Sequence, residues 1–246
     1  MDGPLDSIRF PGLLAALMAN LIGFWRDYGR APGAEMHESA DLMWFATGFP
    51  SPALNRMLRL NLRPATVESA IDRIEEVARR RQAPMLLWVA PDSAPRDLPS
   101  RLRARGAAHR ATAPGMAVNL AAVAPSSPIE GFRIELADRR ENRRRWGTIA
   151  AEWFGAEAAA AFGEIEQGLD PRGLIDRPRY LGFLNGEAMA SAALVLEGGV
   201  AGVYLVATEP SAQRRGIGRR GLSPPRSRYR RIARPLCACP QTPRAT

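Results

Sequence analysis

Residues 203–218 read Val-Tyr-Leu-Val-Ala-Thr-Glu-Pro-Ser-Ala-Gln-Arg-Arg-Gly-Ile-Gly, an apolar strand running into a basic loop that carries two glycines. Pro210 ends the strand. Gly216 and Gly218 lack the Cβ that would hold a ligand away from the backbone, so successive amides of the loop can converge on one anion. A helix starting at Ile217 would add unpaired N–H groups and its dipole. The loop is not a P-loop, because Gly-Lys-Ser/Thr is absent. It is not a dinucleotide fingerprint either, since no βαβ unit surrounds it. A lone Gly-x-Gly also suits an ordinary surface turn, so the flanking pattern has to decide.

Upstream, residues 132–136 form a strand pattern, and Asp138 is a candidate N-cap for a helix reaching Phe154 with Trp146, Ile149, Ala150 and Trp153 inward. A second helix fits residues 156–169. Three strands follow, over residues 180–184, 188–196 and 201–207, joined by Asn185-Gly186 and by Gly198-Gly199 as tight turns. This antiparallel meander delivers its last strand directly into the loop.

That series, closing on Val206-Ala207-Thr208-Glu209-Pro210 and Gln213-Arg214-Arg215-Gly216-Ile217-Gly218, resembles the acetyl-coenzyme A site of the GNAT (GCN5-related) N-acetyltransferase family. The resemblance covers residues 131–218. It implies an α/β (α+β mixed sheet) chain with an acyl-CoA N-acyltransferase-like fold. The amides of Gln213, Arg214, Arg215, Gly216, Ile217 and Gly218 would hold the pyrophosphate, and the backbone of Leu205, Val206 and Ala207 would pair with the pantetheine arm. The implied reaction transfers an acetyl group from acetyl-CoA to a small-molecule or peptide amine. Glu209 is the best carboxylate for the base, against its plain reading as a solvated turn residue. Glu152 and Glu187 are weaker, and no tyrosine can be assigned as general acid.

The first half is also mixed α/β. A helix fits residues 11–28, an extended stretch residues 36–47, and a helix from Thr66 as N-cap carries Val67, Ile71, Ile74 and Val77 on one face. Residues 85–90 suit a central strand buried on both faces, residues 98–105 a short helix, and residues 115–120 a closing strand. These last three resemble the strand, helix and strand that follow the coenzyme loop in the family, yet no Gln-x-x-Gly-x-Gly precedes them. The expected organisation is a degenerate GNAT-like domain over 1–120, a linker at 121–128 and a partial acetyltransferase domain over 129–218. A basic, Pro/Arg-rich disordered tail fills 219–246. Two GNAT-like halves result, the second incomplete, with an unrelated α/β module as the alternative for the first.

The net charge of +9 belongs to that tail. Residues 219–246 hold eight arginines and no acid, leaving 26 basic against 25 acidic residues upstream, so no folded basic surface for specific nucleic-acid recognition is implied. The tail's five prolines exclude the long helix that should follow Gly218, and its proposed origin is a frameshift near that codon, with a natural disordered basic tail as the alternative. Cys237 and Cys239 are the two cysteines, and His37 and His109 lie far upstream of them, so neither a disulfide framework nor a metal site is expected. The longest apolar segment, residues 13–25, is interrupted by Asn20 and Gly23 and lacks a basic leader, which implies no membrane partner and a cytoplasmic location. The rival readings are a non-catalytic pseudoenzyme or binding module, and polyanion binding through the tail. Oligomeric state is not legible.

Overall fold

The computed structural model describes residues 12–119 and 127–218, and the backbone of 236–238. The rest of the tail and most of the expected linker lie outside the described residues. The chain divides into two compact units, Arg26–Thr112 and the segments on either side of it. This division differs from a boundary at 121–128. It falls inside the first helix, α1 (Leu13–Gly29), whose residues 13–25 group with the second half.

The Arg26–Thr112 unit is built on a sheet of β1 (Glu35–Glu38), β2 (Leu42–Ala46), β3 (Asn55–Leu60) and β4 (Leu86–Leu87), in that order. The stretch expected to be continuous over 36–47 is a hairpin, turned where Ser39 N–H donates to the Leu42 carbonyl and its hydroxyl accepts from Leu42 N–H at 3.1 Å. β3 was not expected, because Asn55, Arg56 and Arg59 break its apolar alternation. Asn55 is fully buried, with its amide satisfied by Thr47 N–H and by the carbonyls of Phe49 and Ser51. Residues 85–90 do not form a central strand. Only Leu86–Leu87 is extended, half-buried at the sheet edge and parallel to β3.

Helix α2 (Val67–Arg80) buries Val67, Ile71, Ile74 and Val77 against Leu42, Trp44, Met57 and Leu60, together with Leu98 and Leu102 of α3 (Leu98–Ala104). Each such side chain contributes about 1.5–3 kcal/mol. Thr66 precedes α2 but does not cap it, since its hydroxyl donates back to the Arg63 carbonyl at 3.3 Å. Arg101 and Arg105 of α3 tie the two helices through Glu68 and Asp72.

Among the described residues, the second unit carries six strands in the order β5-β10-β9-β8-β7-β6. They are β5 (Ala117–Asn119), β6 (Phe132–Leu136), β7 (Arg179–Leu184), β8 (Glu187–Glu197), β9 (Val200–Thr208) and β10 (Leu236–Ala238). The meander from β7 to β9 agrees with the sequence reading, and its turns use left-handed Asn185-Gly186 and Gly198-Gly199. β5 does not close the first half; it pairs antiparallel with β10, which lies parallel to β9. Residues 236–238 of the tail are therefore strand and not disordered.

Two helices, α4 (Arg140–Ala151) and α5 (Ala156–Gly168), pack against each other so closely that a Cβ on Gly147 would lie 2.7 Å from the Phe162 carbonyl oxygen. Arg139 holds the N-cap position, not Asp138, whose carbonyl accepts from Arg143. Trp146 and Ile149 are fully buried and Ala150 is buried, but Trp153 is 59% exposed. The α-helix stops at Ala151 and tightens into a 3-10 turn, which rotates Trp153 out of the inward phase. Residue Asn20 of α1 explains why that segment joins this unit. Its amide donates to the carbonyls of Val195, Glu197 and Val200, and its oxygen accepts from the Tyr204 hydroxyl at 2.7 Å.

Candidate functional site

The pairing of β8 with β9 slips in the middle. Tyr204 faces Ala193 and Ala207 faces Ser191, so Leu205 and Val206 together oppose Ala192. This is a β-bulge, and Leu205 takes the left-handed conformation, φ +47°, that a non-glycine residue adopts at a cost of about 1–2 kcal/mol. Two side chains secure it. The Ser191 hydroxyl donates to the Leu205 carbonyl at 2.9 Å, and the Trp146 indole N–H donates to the Ala192 carbonyl at 3.0 Å.

β10 pairs with β9 only at Ala201 and Gly202. Beyond the bulge no described strand covers the outer edge of residues 205–208, and burial falls there from buried to intermediate. The strand then enters the loop. Glu209 N–H donates to the Met189 carbonyl, Pro210–Ala212 makes one 3-10 turn, and the Gln213 side-chain amide donates back to the Thr208 carbonyl at 3.0 Å. Arg214 and Gly216 are both left-handed, at φ +62° and +78°. Ala212 and Ile217, each 1% exposed, anchor the loop against Leu184 and Ala190. Helical backbone begins at Ile217. The N–H groups of Arg214, Arg215 and Gly216 meet no acceptor among the described residues. Gly218 is glycine without a need visible in the fold: its φ is ordinary, and an added Cβ would touch Thr208 Oγ1 at 3.8 Å, an ordinary contact.

Glu209 and Glu152 come together beside Arg145. Arg145 Nη2 lies 2.7 Å from Glu209 Oε1 and 2.9 Å from the Ala188 carbonyl. Burial, then the charge and hydrogen bond of Glu209, push the Glu152 carboxyl above its ordinary range, and Arg145 offsets part of this. Glu187 is exposed at the start of β8 and makes no ion pair among the described residues. Sequence reasoning missed Arg145 and Ser191. The first sits in a run of three arginines with nothing to single it out, and the second is a small residue among alanines.

β3 is followed by α2 and the parallel β4, but residues 61–66 contain no glycine. The far edge of β3 is also occupied, since Ala94 N–H donates to the Leu60 carbonyl and Leu62 N–H to the Ala94 carbonyl. Among the described residues no group of three or more His, Cys, Asp or Glu side chains could hold a metal, and no helix is long and apolar enough to cross a membrane.

This arrangement of strands and helices is an acyl-CoA N-acyltransferase-like fold, with mixed α/β character in both halves. The chain has the fold of the GCN5-related N-acetyltransferases. A GCN5-related N-acetyltransferase from Kribbella flavida is 17% identical, with a TM-score of 0.64 over 93% of this chain and 85% of that one. A tandem GNAT protein from the clavulanic acid biosynthesis pathway is 12% identical, with a TM-score of 0.53 over 95% and 87%. A functionally unknown conserved protein from Staphylococcus epidermidis is 11% identical, with a TM-score of 0.54 over 85% and 84%. No protein-family model and no curated protein matches the sequence.

Proposed function

We propose that this chain is an N-acetyltransferase that takes the acetyl group of acetyl-coenzyme A and passes it to a small-molecule or peptide amine, with a single donor site in the second half. The observation that carries the reading is the continuity of an uncovered strand edge at residues 205–208 with a loop whose amides at 214–216 are unbonded among the described residues. The residues fit the donor. The backbone of Leu205, Val206 and Ala207 would pair with the pantetheine arm, while Gln213, Arg214, Arg215, Gly216, Ile217 and Gly218 would surround the pyrophosphate. Gly218 leaves room for that approach, and Arg214 and Arg215 form no ion pair among the described residues.

When bound, the thioester supplies an acyl group activated for attack by a neutral amine. The chain's own contribution is placement, which turns the transfer into a reaction between held partners. Glu209, at the end of the donor strand, takes the proton released by the amine. Glu152 lies beside it, and burial followed by the neighbouring Glu209 carboxyl holds the Glu152 carboxyl above its ordinary range. The first half, with glycine absent from residues 61–66, is a donor-free partner domain. A cytoplasmic location belongs to the same proposal.

Titration calorimetry with acetyl-CoA tests the reading. Micromolar binding, followed by release of free thiol when an amine panel is added, is the expected result. No heat at millimolar acetyl-CoA would overturn it in favour of a non-catalytic protein.

A further inference from the structure

Leu205 is held in a conformation that an uninterrupted strand would not choose. Removing the bulge would place residue 206, not 207, opposite Ser191 and so exchange the alternate set of N–H and C=O groups that residues 206–208 present to the open edge. Backbone strain of this kind persists only where neighbours over-determine it. Ser191, 2% exposed, is one such neighbour through its bond to the Leu205 carbonyl, and Trp146, fully buried, supports the opposite strand at Ala192.

We propose that Ser191 is a positioning residue for the donor: by holding the Leu205 carbonyl it keeps the bulge, and thereby selects which backbone groups of β9 face the pantetheine arm. The proposal rests on the acetyltransferase reading. It separates two parts of one ligand. The pyrophosphate loop begins after Glu209 and is anchored independently by Ala212 and Ile217, so losing the bulge should affect the arm and spare the nucleotide.

The test compares acetyl-CoA with 3′-phospho-ADP, which lacks the pantetheine arm, by calorimetry on the full chain. Ser191→Ala should weaken acetyl-CoA binding about tenfold, the worth of one buried hydrogen bond, with 3′-phospho-ADP unchanged. Adding Leu205→Gly to Ser191→Ala should recover most of the loss, because glycine accepts φ +47° without strain. Equal loss for both probes, no loss for either, or no recovery in the double variant would overturn the proposal while wild-type binding stands. A wild type that binds neither probe would overturn the acetyltransferase reading and this proposal with it.

Discussion

Arg145 spans from α4 to the end of β9, where its Nη2 lies 2.7 Å from Glu209 Oε1 while also bonding the Ala188 carbonyl of β8. One guanidinium therefore joins the helix to both central strands beside a pair of carboxyl groups. Its charge opposes the burial and like-charge repulsion that raise Glu152. Arg145→Gln removes that opposition, so the Glu152 carboxyl should titrate at higher pH than in the wild type, as read by NMR of its side-chain carboxyl. Glu209→Gln removes the like charge and should bring the Glu152 carboxyl lower. Titrations that do not move in these opposite senses would show that Arg145 and Glu209 do not set the Glu152 carboxyl.

The same group sets a stability trend. A carboxyl raised in the folded state is favoured there in its protonated form. Its contribution is thus present at low pH and lost as pH rises through the folded value. Glu152→Gln should flatten that part of the melting temperature–pH curve and raise Tm at neutral pH, as read by calorimetric scans.

The loop glycines should separate by cause. Gly216→Ala forces a side chain into φ +78°, at about 1 kcal/mol or more, so stability and acetyl-CoA affinity should fall together. Gly218→Ala meets only an ordinary contact at 3.8 Å. It should leave the melt unchanged yet weaken acetyl-CoA binding about tenfold or more, through the lost close approach of ligand to backbone.

At the crossing of α4 and α5, Gly147→Ala would drive a methyl to 2.7 Å from a backbone oxygen. Separating the helices should cost about 1–3 kcal/mol. A drop in Tm with acetyl-CoA affinity retained is the expected pattern.

Glu166 and Arg179 form an ion pair with both side chains fully buried, at 3.2 Å, and Arg179 also lies over the rings of Phe24 and Trp146. Glu166→Ala leaves a cation in the core and should cost about 3–5 kcal/mol, whereas Glu166→Leu with Arg179→Met should recover most of that loss. Urea unfolding of the three proteins measures the difference.

Local patterns were legible where one residue type admits one conformation. Asn185-Gly186 and Gly198-Gly199 announced the meander, Pro210 ended the strand, and the spacing of Val67, Ile71, Ile74 and Val77 announced α2. β3 escaped because buried Asn55 and Arg56 look like surface residues until their partners are known. Residues 85–90 misled for the converse reason: an apolar run records a preference for burial but not where in a sheet the burial occurs.

By itself the sequence determined the order of elements around the loop at 213–218, because turns, helix faces and glycine positions are set by steric rules acting over a few residues. Tertiary structure decided the rest. The bulge at Leu205 depends on Ser191 and Trp146, the pairing of Glu152 with Glu209 depends on Arg145, and the assignment of β5 depends on β10. Each relation joins residues more than a dozen positions apart, where no local periodicity acts and only packing brings donor and acceptor into reach. The loop at 213–218 is recognisable from its residues, but the strand edge at 205–208, uncovered among the described residues, exists only in the folded sheet.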